Sequence, residues 1–342
     1  MPPTSVPRPA LYPAAGTLVG LALGDALGYP TEFDDVTTIL AGHGPWEQMS
    51  LASPALVSDD TQMALAVGRA LTAAQGHGWL SPALLARALA LEFVRWYDSP
   101  DNDRAPGITC LQACALLKSG TPWLSATQAG SKGCGANMRV APVGLAPGLD
   151  AEERAGAAQL QAALTHGHPT ALAASDLTAH AVHLLAGGTE PARLPGLLRQ
   201  YALSNRTRYH EQWLGELWTR GPARTPSGFI ARGWDEVLAV LDRLDTALAS
   251  PRPDADPCLA TGEGWIAEEA LATGLLCFLL FPDQPLTALR RAACSSGDSD
   301  SIACLTGAFA GAHHGLAAWP AAWSGRIEYR NELITLATSW DH

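Results

Sequence analysis

An all-α fold is what the sequence predicts, on three observations. Apolar residues recur at helical spacing, as at Met63, Ala66, Val67 and Ala70. Helix-start signals precede such runs, with Ser58 before one and Ser81-Pro82 before another. Alternating strand patterns flanked by hairpin turns are nearly absent. With 342 residues, 47% hydrophobic and 16% charged, the chain can bury a sizeable core, and no linker divides it into self-contained halves. The expectation is one compact domain of orthogonally packed helices over 14–342.

Taken in order, Met1 to Pro13 is proline-rich without an apolar core, so it reads as a disordered lead-in over 1–13 and not as a secretory signal. Ala14 to Leu27 is a helix of small residues stopped at Gly28. The next helix runs from Asp59 to Ala74 behind the Ser58 cap, and another from Ser81-Pro82 to about Tyr97. Further helices are expected near 107–119, 150–165, 169–187, 191–203, 208–219, 230–248, 265–280, 285–294, 300–317 and 327–338. Between them, 98–107, 120–136 and 249–264 are long, rich in Gly, Pro and Asp, and candidates for functional loops.

The net charge of −11, with no Lys/Arg cluster, argues against an extended nucleic-acid surface. A small phosphate-bearing ligand stays compatible, because backbone amides can hold it. Seven scattered cysteines without a CxxC fit reduced thiols in a cytoplasmic protein. The longest apolar run, Ala270 to Phe281, is too short to cross a bilayer and reads as a buried helix. A monomer is the default expectation.

The chemistry concentrates in two acidic clusters at opposite ends of the chain, Ser58-Asp59-Asp60-Thr61 and Gly297-Asp298-Ser299-Asp300-Ser301. Each precedes a predicted helix, and each alone reads as a helix cap overloaded with acid. Brought together, four carboxylates and two hydroxyls make an all-oxygen site for a hard divalent ion such as Mg²⁺ or Mn²⁺. Glu32 follows the helix break at Gly28, and Asp25 upstream of it reads as a structural helix acid. The stretch Gly130 to Arg139 is Gly-rich but is neither a Walker A loop nor a GxGxxG after a strand. His166 and His168 share an interhelical loop, a weak pattern for zinc and an equally good one for contact with a nucleoside.

Read together, these segments resemble the ADP-ribosylglycohydrolase family. The likeness rests on GLALGDALGYPTE at 20–32, SDDTQMALA at 58–66, GCGANMRVAPVGL at 133–145, THGHP at 165–169, GEGWIAEEALATGLLCFL at 262–279 and GDSDSIACLTGAFAGAHHG at 297–315. It spans about residues 14 to 317.

The resemblance implies an all-helical enzyme that binds two divalent ions, Mg²⁺ or Mn²⁺, at helix N-termini. It implies hydrolysis of the bond between ADP-ribose and an acceptor side chain, with ADP-ribose and an ADP-ribosylated substrate as partners. Carried over by motif, the metal ligands are Ser58, Asp59, Asp60, Asp298, Asp300 and Ser301. Glu32, Asp59 and Asp60 are the acid/base candidates. Gly133, Cys134, Gly135, Ala136, Asn137 and Met138 match a diphosphate-holding loop. His166 matches a contact on the adenosine side, and Gly107 and Thr109 lie in a turn near the reacting ribose. Serine stands at 58 and 301 where the family usually has threonine, which keeps the hydroxyl and drops a methyl group. All four aspartates are present, against a silent relative. A catalytically silent ADP-ribose or nucleotide-binding module and a dinuclear nucleotide-diphosphate phosphohydrolase are the competing readings. The acceptor, whether arginine, serine, a nucleic-acid end or a small molecule, stays open.

Overall fold

A computed structural model describes residues 12–76 and 80–341. Its helices in chain order are α1 (Pro13–Gly28), α2 (Val36–His43), α3 (Asp59–Gln75), α4 (Pro82–Tyr97), α5 (Ile108–Lys118), α6 (Trp123–Ala126), α7 (Ala141–Leu145), α8 (Ala151–Ala163) and α9 (Pro169–Ala186). There follow α10 (Leu194–Asn205), α11 (Glu211–Leu214), α12 (Pro226–Ala249), α13 (Cys258–Thr261), α14 (Ala267–Leu280), α15 (Pro285–Ala293), α16 (Ser299–His314), α17 (Ala321–Ser324) and α18 (Arg330–Thr338). The only extended pairing among the described residues is three isolated bridges, Ala55 with Ile327, Gln128 with His166 and Gly133 with Ile266. The fold is all-helical, as the periodicity predicts. No helix of the described residues is long and apolar enough to cross a membrane.

The expected caps form. The Ser81 side chain accepts from Leu84 N, and Asp150 and Glu153 complete a reciprocal capping box on α8. Some boundaries differ from expectation. The predicted helix at 208–219 is instead α11 and a 3₁₀ turn over Leu217–Arg220, because Gly215, at φ 52°, breaks it. The helix expected from 230 starts at Pro226, where the Thr225 hydroxyl accepts from Gly228 N. Pro13 opens α1, and residues 1–11 of the expected lead-in lie outside the described part of the chain. The loops at 120–136 and 249–264 carry short helices, α6 and α13. α2 has only Ile39 buried, so no apolar stripe announces it.

At the centre, α1, α9, α14 and α16 are buried on nearly all sides, and α12, α8 and α3 pack around them. α1 and α16 run against each other along an unusual seam. Gly16, Gly20, Gly24 and Gly28, four residues apart, meet Gly311, Gly307, Ala303 and Ser299. A methyl group on Gly20 would overlap the carbonyl oxygen of Gly307, and one on Gly24 that of Ala303. The backbones therefore touch directly, with almost no side chain between them. Of the small residues in α16, Ala303, Gly307 and Gly311 form the face that meets α1.

This seam sets the site. It places the C-terminal end of α1, with Asp25, beside the N-terminal end of α16, with Asp298 and Asp300. The Thr31 hydroxyl lies 2.8 Å from Gly28 O, 2.9 Å from Ala293 O and 3.0 Å from Ser299 Oγ, pinning the chain after α1 to the start of α16.

Candidate active site

The two acidic clusters meet. Ser58 caps α3 with its side chain accepting from Asp60 N, and Asp298 caps α16 with its carboxylate accepting from Ser301 N. Across the gap the Ser301 hydroxyl donates to Asp60 Oδ1 at 3.4 Å. Asp25 anchors the α3 side: its carboxylate accepts from Ser58 N at 2.9 Å, from Thr61 N at 3.0 Å and from the Thr61 hydroxyl. Its expected role as a structural acid on α1 becomes specific here, since it holds the turn that presents Asp59 and Asp60. Asp59 in turn accepts from Gly107 N at 3.2 Å, fixing the loop before α5.

These groups lie at the base of a cleft of about 630 Å³. Of the residues expected at the site, Glu32, Asp59, Asp60, Gly107, Thr109, Gly133, Cys134, Gly135, Met138, His166, Asp298, Asp300 and Ser301 line it. Three do not. Ser58 is fully buried beneath the acids. Ala136 is buried and turns its carbonyl to Gln161 Nε2, and Asn137 donates from Nδ2 to Ala267 O. Those two hold the glycine loop to α8 and α14 and do not face the cleft. The loop backbone is further tied by Cys134 N donating to Trp265 O and Ala267 N to Lys132 O.

Sequence reasoning missed Phe33 and Trp265 at the rim. Their rings stack with centroids 5.4 Å apart, and Phe33 sits at φ 74° with most of its ring in solvent. The Gly297 carbonyl accepts from Phe33 N at 3.4 Å. An aromatic residue after Glu32 was visible in the sequence, but nothing local says that it faces out.

The electrostatics are severe. Burial, then the Asp300 charge, raises Asp25 to about 7. Burial raises Asp59 to about 8 despite the Gly107 amide, with Asp300 and Asp25 adding to it. Glu32 rises to about 9 through burial and the charges of Asp300, Asp59 and Asp25. Asp60 and Asp298 stand well above the carboxylate range and Asp300 is raised too, all first through burial. Asp60 Oδ2 and Glu32 Oε2 are buried with no hydrogen-bond partner. Each is an unpartnered oxygen among crowded acids, with no Lys or Arg side chain among the described residues that line the cleft. Among the described residues, however, no group of three or more His, Cys, Asp or Glu side chains is arranged to hold a metal ion as it stands.

An all-helical core with an acid-floored, glycine-walled cleft between two helix N-termini defines the class. The family model described as ADP-ribosylglycohydrolase matches residues 9–341. The chain belongs to the ADP-ribosylglycohydrolase family. It is 34% identical to "ADP-ribosyl-[dinitrogen reductase] glycohydrolase" of Rhodospirillum rubrum, over 51% of this chain and 58% of that protein. It is 28% identical to "ADP-ribosylhydrolase ARH3" of Homo sapiens, over 95% and 91% of the two chains. It is 26% identical to "ADP-ribosylarginine hydrolase Tri1" of Serratia proteamaculans (strain 568), over 98% and 81%. A solved structure described as "ADP-ribosylglycohydrolase-related protein complex" has the same fold, with a TM-score of 0.65 at 22% identity over 97% and 98% of the two chains.

Proposed function

We propose that this protein is a divalent-metal-dependent hydrolase that cleaves the glycosidic bond between ADP-ribose and an acceptor and releases ADP-ribose. The observation that carries it is the meeting of Asp59 and Asp60 with Asp298, Asp300 and Ser301 at the floor of one cleft. Residues 14–342 act as one domain in this reading.

The residues fit a cation. Acids crowded tightly enough to hold one another's protons, with the partnerless Asp60 Oδ2 and Glu32 Oε2 among them, relax once positive charge enters. Asp59, Asp60, Asp298 and Asp300 are the holders, with the Ser301 hydroxyl beside them and Ser58 behind. Two bound Mg²⁺ or Mn²⁺ ions would supply Lewis acidity toward the ribose hydroxyls and a water. The rest is done by the chain. Gly133 and Gly135 line the cleft and let His166 pack directly against the wall that this reading gives to the diphosphate. Gly107 and Thr109 form the wall beside Asp59. Glu32 sits on a loop at the cleft edge, with its Oε2 buried and without a hydrogen-bond partner. Glu32, Asp59 and Asp60 are the candidates to exchange a proton with the leaving atom or the water.

The test is a panel of arginine-, serine- and nucleic-acid-linked ADP-ribose substrates assayed with Mg²⁺, Mn²⁺ or EDTA. Intact ADP-ribose as product supports the reading. AMP would indicate a pyrophosphate-cleaving enzyme, and tight ADP-ribose binding without turnover a silent module. Turnover unaffected by chelation would remove the metal from the reading.

A further inference from the structure

Arg139 is fully buried, and no carboxylate is among its hydrogen-bond partners in the described residues. Its Nε donates to Gln161 Oε1 at 2.8 Å, and Nη2 donates to Gln161 O at 2.7 Å and to Thr165 Oγ1 at 2.8 Å. Nη1 faces Met63 Sδ and Cys110 Sγ, and the guanidinium lies 4.3 Å over the Phe93 ring. Burying a cation without a counter-charge is expensive. A residue kept under those conditions behind the part of the cleft wall that His166 lines invites a role beyond packing.

A guanidinium has only donors, so the Thr165 oxygen must accept from it. The hydroxyl then has one proton to give. His166 Nδ1 is 2.8 Å away and Ala162 O is 3.4 Å away. The nearer acceptor is the imidazole nitrogen. If Nδ1 accepts, the ring proton resides on Nε2. That nitrogen lies against the glycine loop: a β-carbon built on Gly133 would come within 3.3 Å of it, and one on Gly135 within 3.4 Å. The His166 backbone is fixed as well, with its N–H donating to Ala162 O at 2.8 Å and its neighbours bridged to Gln128.

We infer that Arg139, acting through the Thr165 hydroxyl, locks His166 in the Nε2–H tautomer and so makes it a dedicated hydrogen-bond donor to a ligand oxygen on the Gly133–Gly135 wall. Arg139 and Thr165 are positioning residues; only His166 reaches the cleft. Burial, with the Arg139 charge second, lowers His166 to about 3, so the ring stays neutral and its direction of donation is set by the tautomer alone. An oxygen-rich, anionic ligand such as a diphosphate is matched by a donor there and repelled by a lone pair. The ligand side of this inference rests on the ADP-ribose reading of the cleft, whereas the tautomer does not.

The experiment is long-range ¹H–¹⁵N NMR of the histidine rings on the full chain, with the His166 signals assigned by their loss in His166→Gln. The wild type should show a neutral ring with Nε2 protonated. Thr165→Ser should keep that state, and Thr165→Val should lose it while retaining wild-type helical circular dichroism. ADP-ribose affinity by calorimetry should fall about tenfold in Thr165→Val and stay within about twofold in Thr165→Ser. A wild-type ring protonated on Nδ1, or one charged at neutral pH, overturns the inference. So does a Thr165→Val protein whose tautomer or affinity is unchanged. Failure of the wild type to bind ADP-ribose would count against the proposed function while leaving the tautomer result standing.

Discussion

The Ser301 hydroxyl donates to Asp60 Oδ1 across 3.4 Å, a contact between residues 241 positions apart in the chain. Around it Asp25, Asp59, Asp298 and Asp300 stand in a buried group of like charge. Such a group is a liability on its own and an asset once a cation binds. That tension yields the first prediction. Asp60→Asn should abolish ADP-ribose release, yet raise the stability of the protein in EDTA by ~1 kcal/mol by removing one repelled carboxylate. Turnover assays beside thermal melts in EDTA check both halves.

Metal addition should stabilise the wild type. At a free Mg²⁺ or Mn²⁺ concentration a hundred times the Kd, linkage gives about 2.7 kcal/mol. Asp298→Asn should lose most of that response. Melting curves with and without metal measure it.

The hydroxyl at 301 can be separated from its methyl context. Ser301→Ala removes the oxygen and should weaken metal binding about tenfold. Ser301→Thr keeps the oxygen and should hold metal at least as well as wild type. Titration calorimetry with Mn²⁺ compares the three.

The pH dependence without metal has a definite sign. Asp25, Asp59 and Glu32 titrate near 7, 8 and 9 in the fold and near their ordinary, lower values when unfolded. Between those limits the folded state binds more protons than the unfolded state. Stability in EDTA should therefore fall as pH rises from about 4 toward 9. Bound metal should flatten that slope, because it holds the same carboxylates ionised. Urea unfolding across this range, with EDTA or with Mg²⁺, tests it.

The helix seam gives a stability prediction. Gly20→Ala puts a methyl group into the Gly307 carbonyl and should destabilise by about 3 kcal/mol or more, although alanine is the better helix former. Gly42→Ala on α2 is the control: nothing lies within 4 Å of its new β-carbon. It should stabilise by about 0.5–1 kcal/mol. Urea midpoints of the two variants should move in opposite directions.

Much of this was legible in the sequence where local chemistry and function coincide. Ser58 and Asp298 are both caps and neighbours of the acid cluster, so a cap signal pointed at the site. The small residues of α1 and α16 stand in the sequence, but which backbones they bring together is set by the fold. The roles of other residues were set by distant partners. Asp25 looked like any helix acid until Ser58 and Thr61 supplied their amides. Ala136 and Asn137 belong to the glycine loop by motif, but their contacts to Gln161 and Ala267 turn them away from the cleft. Phe33 and Trp265 come together only because the segment before α14 and the loop after α1 share a rim. Likewise α2, held mostly by its Asp35 cap and one buried residue, carries too little periodicity to read.

The glycine seam between α1 and α16 also bears on how the molecule is made. A ribosome delivers α1 well before α16, on the order of tens of seconds earlier at ordinary elongation rates. Until then α1, buried on nearly all sides in the finished fold, lacks the helix its glycines lie against, and the acid floor lacks its second half. Biosynthesis thus leaves a sticky helix waiting and withholds the finished site until α16 has emerged. Nascent-chain engagement by chaperones should therefore be strong up to the release of α16 and drop sharply after it.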